Sequence, residues 1–546
     1  MDRLVVGRHR QAVREALAAE LAPEPGQGLR GGVLAAYEAV LYAGRIEVRA
    51  ADGSVDSLVG GSRGLAVSDL TCLAVSPHGD LWIGSRHGLV HWRDGHVELY
   101  AGGRWLPDDE VQAVAVEDDG SVRVRTVSGA CRIRFRTLSL AEKADHYERL
   151  TDARHVRFGY VTGCQLLRPG DLSTTAHHID DNDGLWTAMY LAAQCFRYAV
   201  SGSEDARGKV RSALRAILAL ERQSTVPGMP ARALTHRSEA DFGRPRQGEW
   251  HPTADGQWEW KADTSSDEID GHYFAWGICW DLTADAEEKA AIAGAVRRVT
   301  DHILRHGYAL VDVDGRPTRW GMWAPERLNH DPAWRAERGL NSLEVLSYLK
   351  VAAHITGDST YERAYRELVT DHHYALNTLR QRVVPGDFPG AENNHSDDEL
   401  AFLAYYNLLR YETDPGLRAL YLGSLEHAWT IVRPEGCPLW NLLYGALSGQ
   451  PCDAEAAVKA LREVPLDLVH WRMTNSRRPD LEWTASADRF GQAQLRRPLP
   501  WRERPLHKWN GNPYRPDGGN DLSEECGTFW LLPYWLGRYH GILAEA

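Results

Sequence analysis

A chain of 546 residues is too long for one ordinary hydrophobic core, so two or three domains are expected. Its apolar share is 43%, its net charge −13 and its pI about 6.0. This balance excludes non-specific nucleic-acid binding and a polybasic membrane patch, and no apolar run reaches the length of a membrane span. Met1 to Glu20 mixes Arg, His and Glu with Val, Leu and Ala. That stretch reads as an amphipathic helix and lacks the apolar core of a signal peptide, so a cytoplasmic location is expected. The eight cysteines are scattered with no C-x-x-C pair, which argues for reduced, buried thiols. Tryptophan is abundant, 20 against 9 Phe. Most of these rings should fill the core, and the remainder suit stacking on sugar rings.

Residues 1–140 are rich in short alternating runs, such as Arg45 to Arg49, Asp80 to Gly84 and Ser121 to Arg125. Turn signals separate them at Asp52-Gly53, His78-Gly79, Asp94-Gly95 and Asp119-Gly120. Leu70 to Trp92 aligns with Val111 to Ile133 at an offset of 41, placing Gly79 on Gly120 and Gly88 on Gly129. A weaker copy lies around Leu41 to Val55. Repeats of this period suggest propeller blades. Gly79-Asp80-Leu81-Trp82-Ile83-Gly84-Ser85 and Gly88-Leu89-Val90-His91-Trp92 resemble the propeller repeats of two-component-regulator sensors. That resemblance implies blade-like sheets. The segment holds about three, short of the four or so that a closed propeller needs, so an incomplete accessory domain is expected.

From Leu140 onward the periodicity turns helical. Twelve helices are predicted, at 141–154, 183–201, 204–222, 268–283, 285–306, 340–356, 359–379, 396–411, 415–432, 437–448, 453–462 and 525–542. Short turns ending in a capping residue or Pro join several into hairpins. Six pairs make an (α/α)6 toroid over 141–546, with apolar, aromatic inner helices and charged outer ones. Two long connections, Arg222 to Ser266 and Pro465 to Glu524, carry Trp250, Trp258, Trp260, Trp471, Trp483, Trp501 and Trp509, and are expected to wall a cleft.

Three helix starts carry His beside several acids. They are His177-His178-Ile179-Asp180-Asp181-Asn182-Asp183 before Trp186, Asp267-Glu268-Ile269-Asp270-Gly271-His272-Tyr273, and Asn393-Asn394-His395-Ser396-Asp397-Asp398-Glu399. Ser396 with Glu399 fits a capping box. In a toroid the inner-helix starts gather at one rim, where helix dipoles favour anions. Each acid could simply cap its own helix, but capping requires neither histidines nor runs of acids.

Two reactions fit. One is β-elimination on a uronate-containing glycan. Asn394 would neutralise the substrate carboxylate, His395 would take the proton, and Tyr273 or Tyr405 would act as acid, with His272 close by. Asn393-Asn394-His395-Ser396 resembles a motif of alginate lyases with helical toroids, although Asp397-Asp398 stand where that family has aromatic residues. In style, 150–546 resembles bacterial (α/α)-barrel polysaccharide-degrading enzymes. The other reaction is inverting glycoside hydrolysis, with Asp181 or Asp183 facing Asp270, Glu268 or Asp398. Elimination is ranked first, and a non-catalytic glycan-binding or sensor protein is the alternative from another class. A terpene-cyclase-like use of the acids ranks below these. Sugar contacts are assigned to His178, Asp183, Trp186, Glu268, Asn393, Lys508, Trp509 and Asn510. The expected partner is an oligo- or polysaccharide. No cofactor is expected, apart from a calcium option at His177, His178, Asp180, Asp181 and Asp183, whose oxygens suit that ion.

Overall fold

The structure is a computed structural model that describes residues 3–18, 23, 31–33, 37–42, 45–50, 54–59, 65–93, 95–177, 179, 181–382, 394–487 and 491–545. Strands dominate up to Leu138 and helices follow from Leu140.

Three four-stranded antiparallel sheets build the strand-rich part. The first runs in chain order through Gly31–Val33, Tyr37–Tyr42, Arg45–Ala50 and Val55–Val59. The second runs through Leu70–Val75, Leu81–Ser85, Gly88–Arg93 and His96–Tyr100. The third comprises Val111–Val116, Val122–Thr126 and Ala130–Leu138, and its fourth strand is His9–Ala16. The first two strands of the second and third sheets keep the spacing of the sequence repeat. Gly79 and Gly120 fill the same turn in each, at φ 92° and 75°, a left-handed conformation that a side chain would strain.

The expected N-terminal helix is absent, and strands Leu4–Val6 and His9–Ala16 take its place. Ala130–Leu138 offers an open sheet edge that no nearby sequence fills, and His9–Ala16 pairs with it from Leu138↔His9 to Cys131↔Ala16. That partner lies over a hundred residues away, beyond the reach of local periodicity. Leu4–Val6 pairs in parallel with Leu543–Glu545 near the other end of the chain.

The described residues contain fourteen helices. They are α1 (Leu140–Arg154), α2 (Asp183–Ser201), α3 (Glu204–Gln223), α4 (Ser266–Leu282), α5 (Ala286–Arg305), α6 (Pro325–Leu328), α7 (Arg338–Thr356), α8 (Ser359–Thr370), α9 (Tyr374–Asn377), α10 (His395–Tyr411), α11 (Pro415–Val432), α12 (Pro438–Ser448), α13 (Ala454–Glu463) and α14 (Thr528–Tyr539). The protein is mainly α with added sheets. Six buried helices touch in a cycle: α2 with α4, α4 with α7, α7 with α10, α10 with α12, α12 with α14, and α14 with α2. Helices α3, α5, α8, α11, α13 and α1 flank them in turn.

Caps set the hairpin turns. The Ser203, Asp285, Asp358 and Asp414 side chains accept backbone N–H bonds at the starts of α3, α5, α8 and α11, each offsetting an orphan donor. The helix predicted over 359–379 is broken, because His373 adopts φ 60° between α8 and α9. No helix among the described residues is long and apolar enough to cross a membrane.

Candidate functional site

The starts of α4, α7 and α10 enclose a cleft of about 680 Å3. Asp267 from α4 and Asp397 and Asp398 from α10 line it, with Arg232, Trp320, Asn341, Gln381 and Arg382. Asp270, Glu344 and Glu399 are wholly buried nearby, and the like charge of Asp267 acts on all three.

Local structure sets each wall. Asn182, the residue before α2, sits at φ 59°, a left-handed conformation that Asn tolerates. Its Nδ2 donates to Asp267 Oδ2 at 2.9 Å, linking the starts of α2 and α4. Asn341 Nδ2 donates to the Met322 carbonyl at 2.9 Å, and Trp323 Nε1 to Glu344 Oε2 at 2.8 Å. These two bonds pin the Pro317–Met322 strand, and with it the half-exposed Trp320, to α7. Arg382 NH2 meets Asp398 Oδ2 at 2.6 Å.

The start of α10 differs from expectation. Asn394, not Ser396, is the N-cap residue, and no side chain caps the helix. Asn394 Nδ2 instead donates to Asp397 Oδ1 at 2.6 Å. Glu399 therefore makes no capping box and is buried, its Oε1 without a partner.

Burial raises the proton affinity of these acids. Burial pushes Asp267 upward against Arg232 and Asn182. Burial also raises Asp398 to about 6, with Arg382 opposing. Glu399 reaches about 8, again through burial, with Lys508 opposing and Asp267 adding. Asp270 and Glu344 both rise through burial and the like charges around them. A raised proton affinity in carboxyls beside a cleft is what general acid chemistry needs.

The other expected residues divide by what they touch. Asp181 is bound by Arg232 (NH2 to Oδ2, 2.8 Å) and by Lys261 at 3.3 Å. Asp183 is buried against Arg157. These three basic side chains oppose the calcium option there, and its His178 and Asp180 lie outside the described residues, as does Asn393. Glu268 is fully buried with both oxygens unpartnered, next to Gly184 and His272. Burial lowers His272 to about 4, so its ring is neutral, with Nδ1 2.6 Å from the Glu268 carbonyl of its own helix.

Of the residues assigned to elimination, Asn394 lines the cleft, and the others make contacts elsewhere. His395 Nε2 faces the buried Glu435 carboxylate. The Tyr273 hydroxyl meets Thr300 Oγ1 on α5 at 2.6 Å, and that of Tyr405 meets Ser424 Oγ on α11 at 2.6 Å. Both tyrosines thus point to outer helices, which local sequence could not reveal. Lys508 stands over the Trp186 ring at 4.1 Å. Trp509 is buried against Phe529 and Asn510 is half-buried. None of these four lines the cleft. The tryptophans of the two long connections are absent from its lining as well, and Trp260 and Trp501 are core residues.

The sequence reading missed Arg232, Trp320, Asn341, Glu344, Gln381 and Arg382. A signal existed for two of them: Asn341 and Glu344 are polar residues three apart on an otherwise apolar helix.

Among the described residues one group has a metal-ligand composition, His155, Cys164 and Glu524. Arg154 occupies both Glu524 oxygens, at 2.6 and 2.7 Å, so the group is an ion-paired latch between α1 and the strand before α14.

No family model matches this sequence. No curated protein matches it. The solved structures that match this chain include two of low identity. One is a sugar epimerase from a ruminal bacterium, 11% identical, with a TM-score of 0.37, covering 73% of this chain and 98% of its own. The other is a family 76 glycoside hydrolase from a bovine Bacteroides thetaiotaomicron strain, 8% identical, with a TM-score of 0.28, covering 98% of this chain and 93% of its own.

Proposed function

We propose that the six-helix cycle and its flanking helices form an (α/α)6 toroid over 141–546, that 1–140 is an accessory β domain, and that the chain hydrolyses glycosidic bonds with two carboxyl groups. The observation that carries this reading is that Asp267 and Asp397, from the starts of two helices, line one cleft. Asp267, its proton affinity raised by burial, is the general acid that protonates the leaving glycosidic oxygen. Asp397, oriented by Asn394, is the base that takes a proton from the attacking water. An inverting reaction of this kind works across a gap of roughly 6.5–9.5 Å between carboxyl groups. Trp320 offers an aromatic face to a sugar ring, and Asn341 and Gln381 offer amide contacts to hydroxyls.

Hydrolysis ranks above elimination because His395, Tyr273 and Tyr405 are each engaged away from the cleft. The test is incubation with neutral and uronate-containing glycans, reading reducing ends, the ultraviolet absorbance of a new C=C bond, and the anomer first released. Reducing ends with inverted anomer and no absorbance are expected, and the release of reducing ends should fall steeply in Asp267→Asn and Asp397→Asn. Reducing ends accompanied by absorbance would overturn the hydrolase reading in favour of elimination.

A further inference from the structure

A second cavity lies far along the chain from the cleft residues, where the sheets meet α13. It holds about 420 Å3, within the usual size of a small-molecule site. His9, Arg10, His91, Arg93, Lys459, Arg462 and Arg502 supply its basic groups, and Glu98, Glu455 and Glu463 its acids. Tyr100, Trp105 and Phe135 complete the lining. In a chain of net charge −13, this excess of cations is local.

Two of the acids are already engaged. Glu98 accepts the Tyr100 hydroxyl at 3.0 Å, lies 3.2 Å from His91 Nδ1, and pairs with Arg502. Glu463 accepts the Trp501 N–H at 3.3 Å and faces Arg502 at 3.4 Å. Arg10, by contrast, lies 4.3 Å over the Phe135 ring, and no carboxylate among the described residues pairs with it. The Nε of Arg462 is buried without a hydrogen-bond partner. Burial, together with the charges of Lys143 and Arg462, holds His9 down at about 4. Its ring is therefore neutral in a positive field. Buried donors left unpaired cost free energy unless something accepts from them.

We propose that this cavity is a second ligand site, and that it binds a small sugar-sized molecule carrying a carboxylate or phosphate, held by Arg10, Lys459 and Arg462. An anion there would meet charge-assisted donors on an aromatic floor. The site stands apart from the cleft and does not depend on the hydrolase reading.

The test is calorimetric titration of the full chain with glucuronate, glucose 6-phosphate and neutral glucose, alongside Arg10→Glu, Lys459→Glu and Asp267→Asn. Arg10 and Lys459 are exposed side chains, and thermal melting confirms that their variants fold. The expected result is binding of one or both anions, no binding of glucose, at least tenfold weakening in each charge-reversed variant, and no change in Asp267→Asn. Whichever anion binds identifies the acidic group. Absence of binding by both anions overturns the proposal, and so does binding that only Asp267→Asn abolishes.

Discussion

His395 Nε2 lies 3.2 Å from Glu435 Oε1, and both residues are only 4% exposed. An imidazole so placed joins α10 to the turn before α12 and is not aimed at a substrate. Removing one partner of a buried hydrogen bond leaves the other unsatisfied, at a cost of about 1–3 kcal/mol. His395→Gln should therefore lower stability by up to roughly that amount in denaturant unfolding. Turnover per folded molecule should stay within about tenfold of the wild type. A much larger fall in kcat at unchanged stability would return His395 to the chemistry.

Asp267→Asn and Asp397→Asn should behave in the opposite way. Loss of a general acid or base lowers turnover by about 10²–10⁴-fold. Stability should hold in Asp397→Asn and rise in Asp267→Asn, because burial disfavours the Asp267 charge. Paired kcat and melting measurements check this.

Glu399 gives stability a pH dependence. Its proton affinity is raised from 4.5 to about 8. A group raised on folding contributes stability that is present below about 4.5 and is lost as pH climbs through about 8. Glu399→Gln should flatten that decline and be more stable than the wild type at alkaline pH. Urea unfolding across this range reads the slope. An unchanged slope would contradict the assignment.

Glu524 acts with the opposite sign. Burial works against its charge, but Arg154 and His155 outweigh it and hold the carboxyl down at about 2. Its contribution is present above about 4.5 and is lost as pH falls through about 2. Glu524→Gln should cost about 3–5 kcal/mol near neutrality and remove part of the acid-unfolding transition.

Two glycines are fixed by close approach. A Cβ on Gly184 would lie 1.9 Å from Glu268 Oε2 and 2.6 Å from His272 Cε1. One on Gly339 would lie 2.2 Å from the Arg380 carbonyl oxygen. Gly184→Ala should destabilise by about 1–3 kcal/mol, as overpacking does, and by less in a Glu268→Ala background. Gly339→Ala presses on backbone that leads to Gln381 and Arg382, so it should reduce turnover as well as stability.

The sequence by itself determined the elements that local rules control. Helices of 3.6 periodicity with Ser, Asp or Pro at their starts lie within a few residues of their predicted bounds, as α2, α3 and α11 illustrate. The repeat around Gly79 and Gly120 likewise marked strands and turns, because alternation and left-handed glycines are local signals. Tertiary structure decided everything that depends on distant partners. It made His9–Ala16 a strand, by offering the open edge of Ala130–Leu138. It also sorted the acids. Asp181 and Asp183 resemble Asp267 and Asp397 in the sequence, yet Arg232, Lys261 and Arg157 neutralise the first two, while the second two line the cleft. Charge pairing and burial act through space, so a side chain's chemistry follows from neighbours that its own stretch of sequence does not contain.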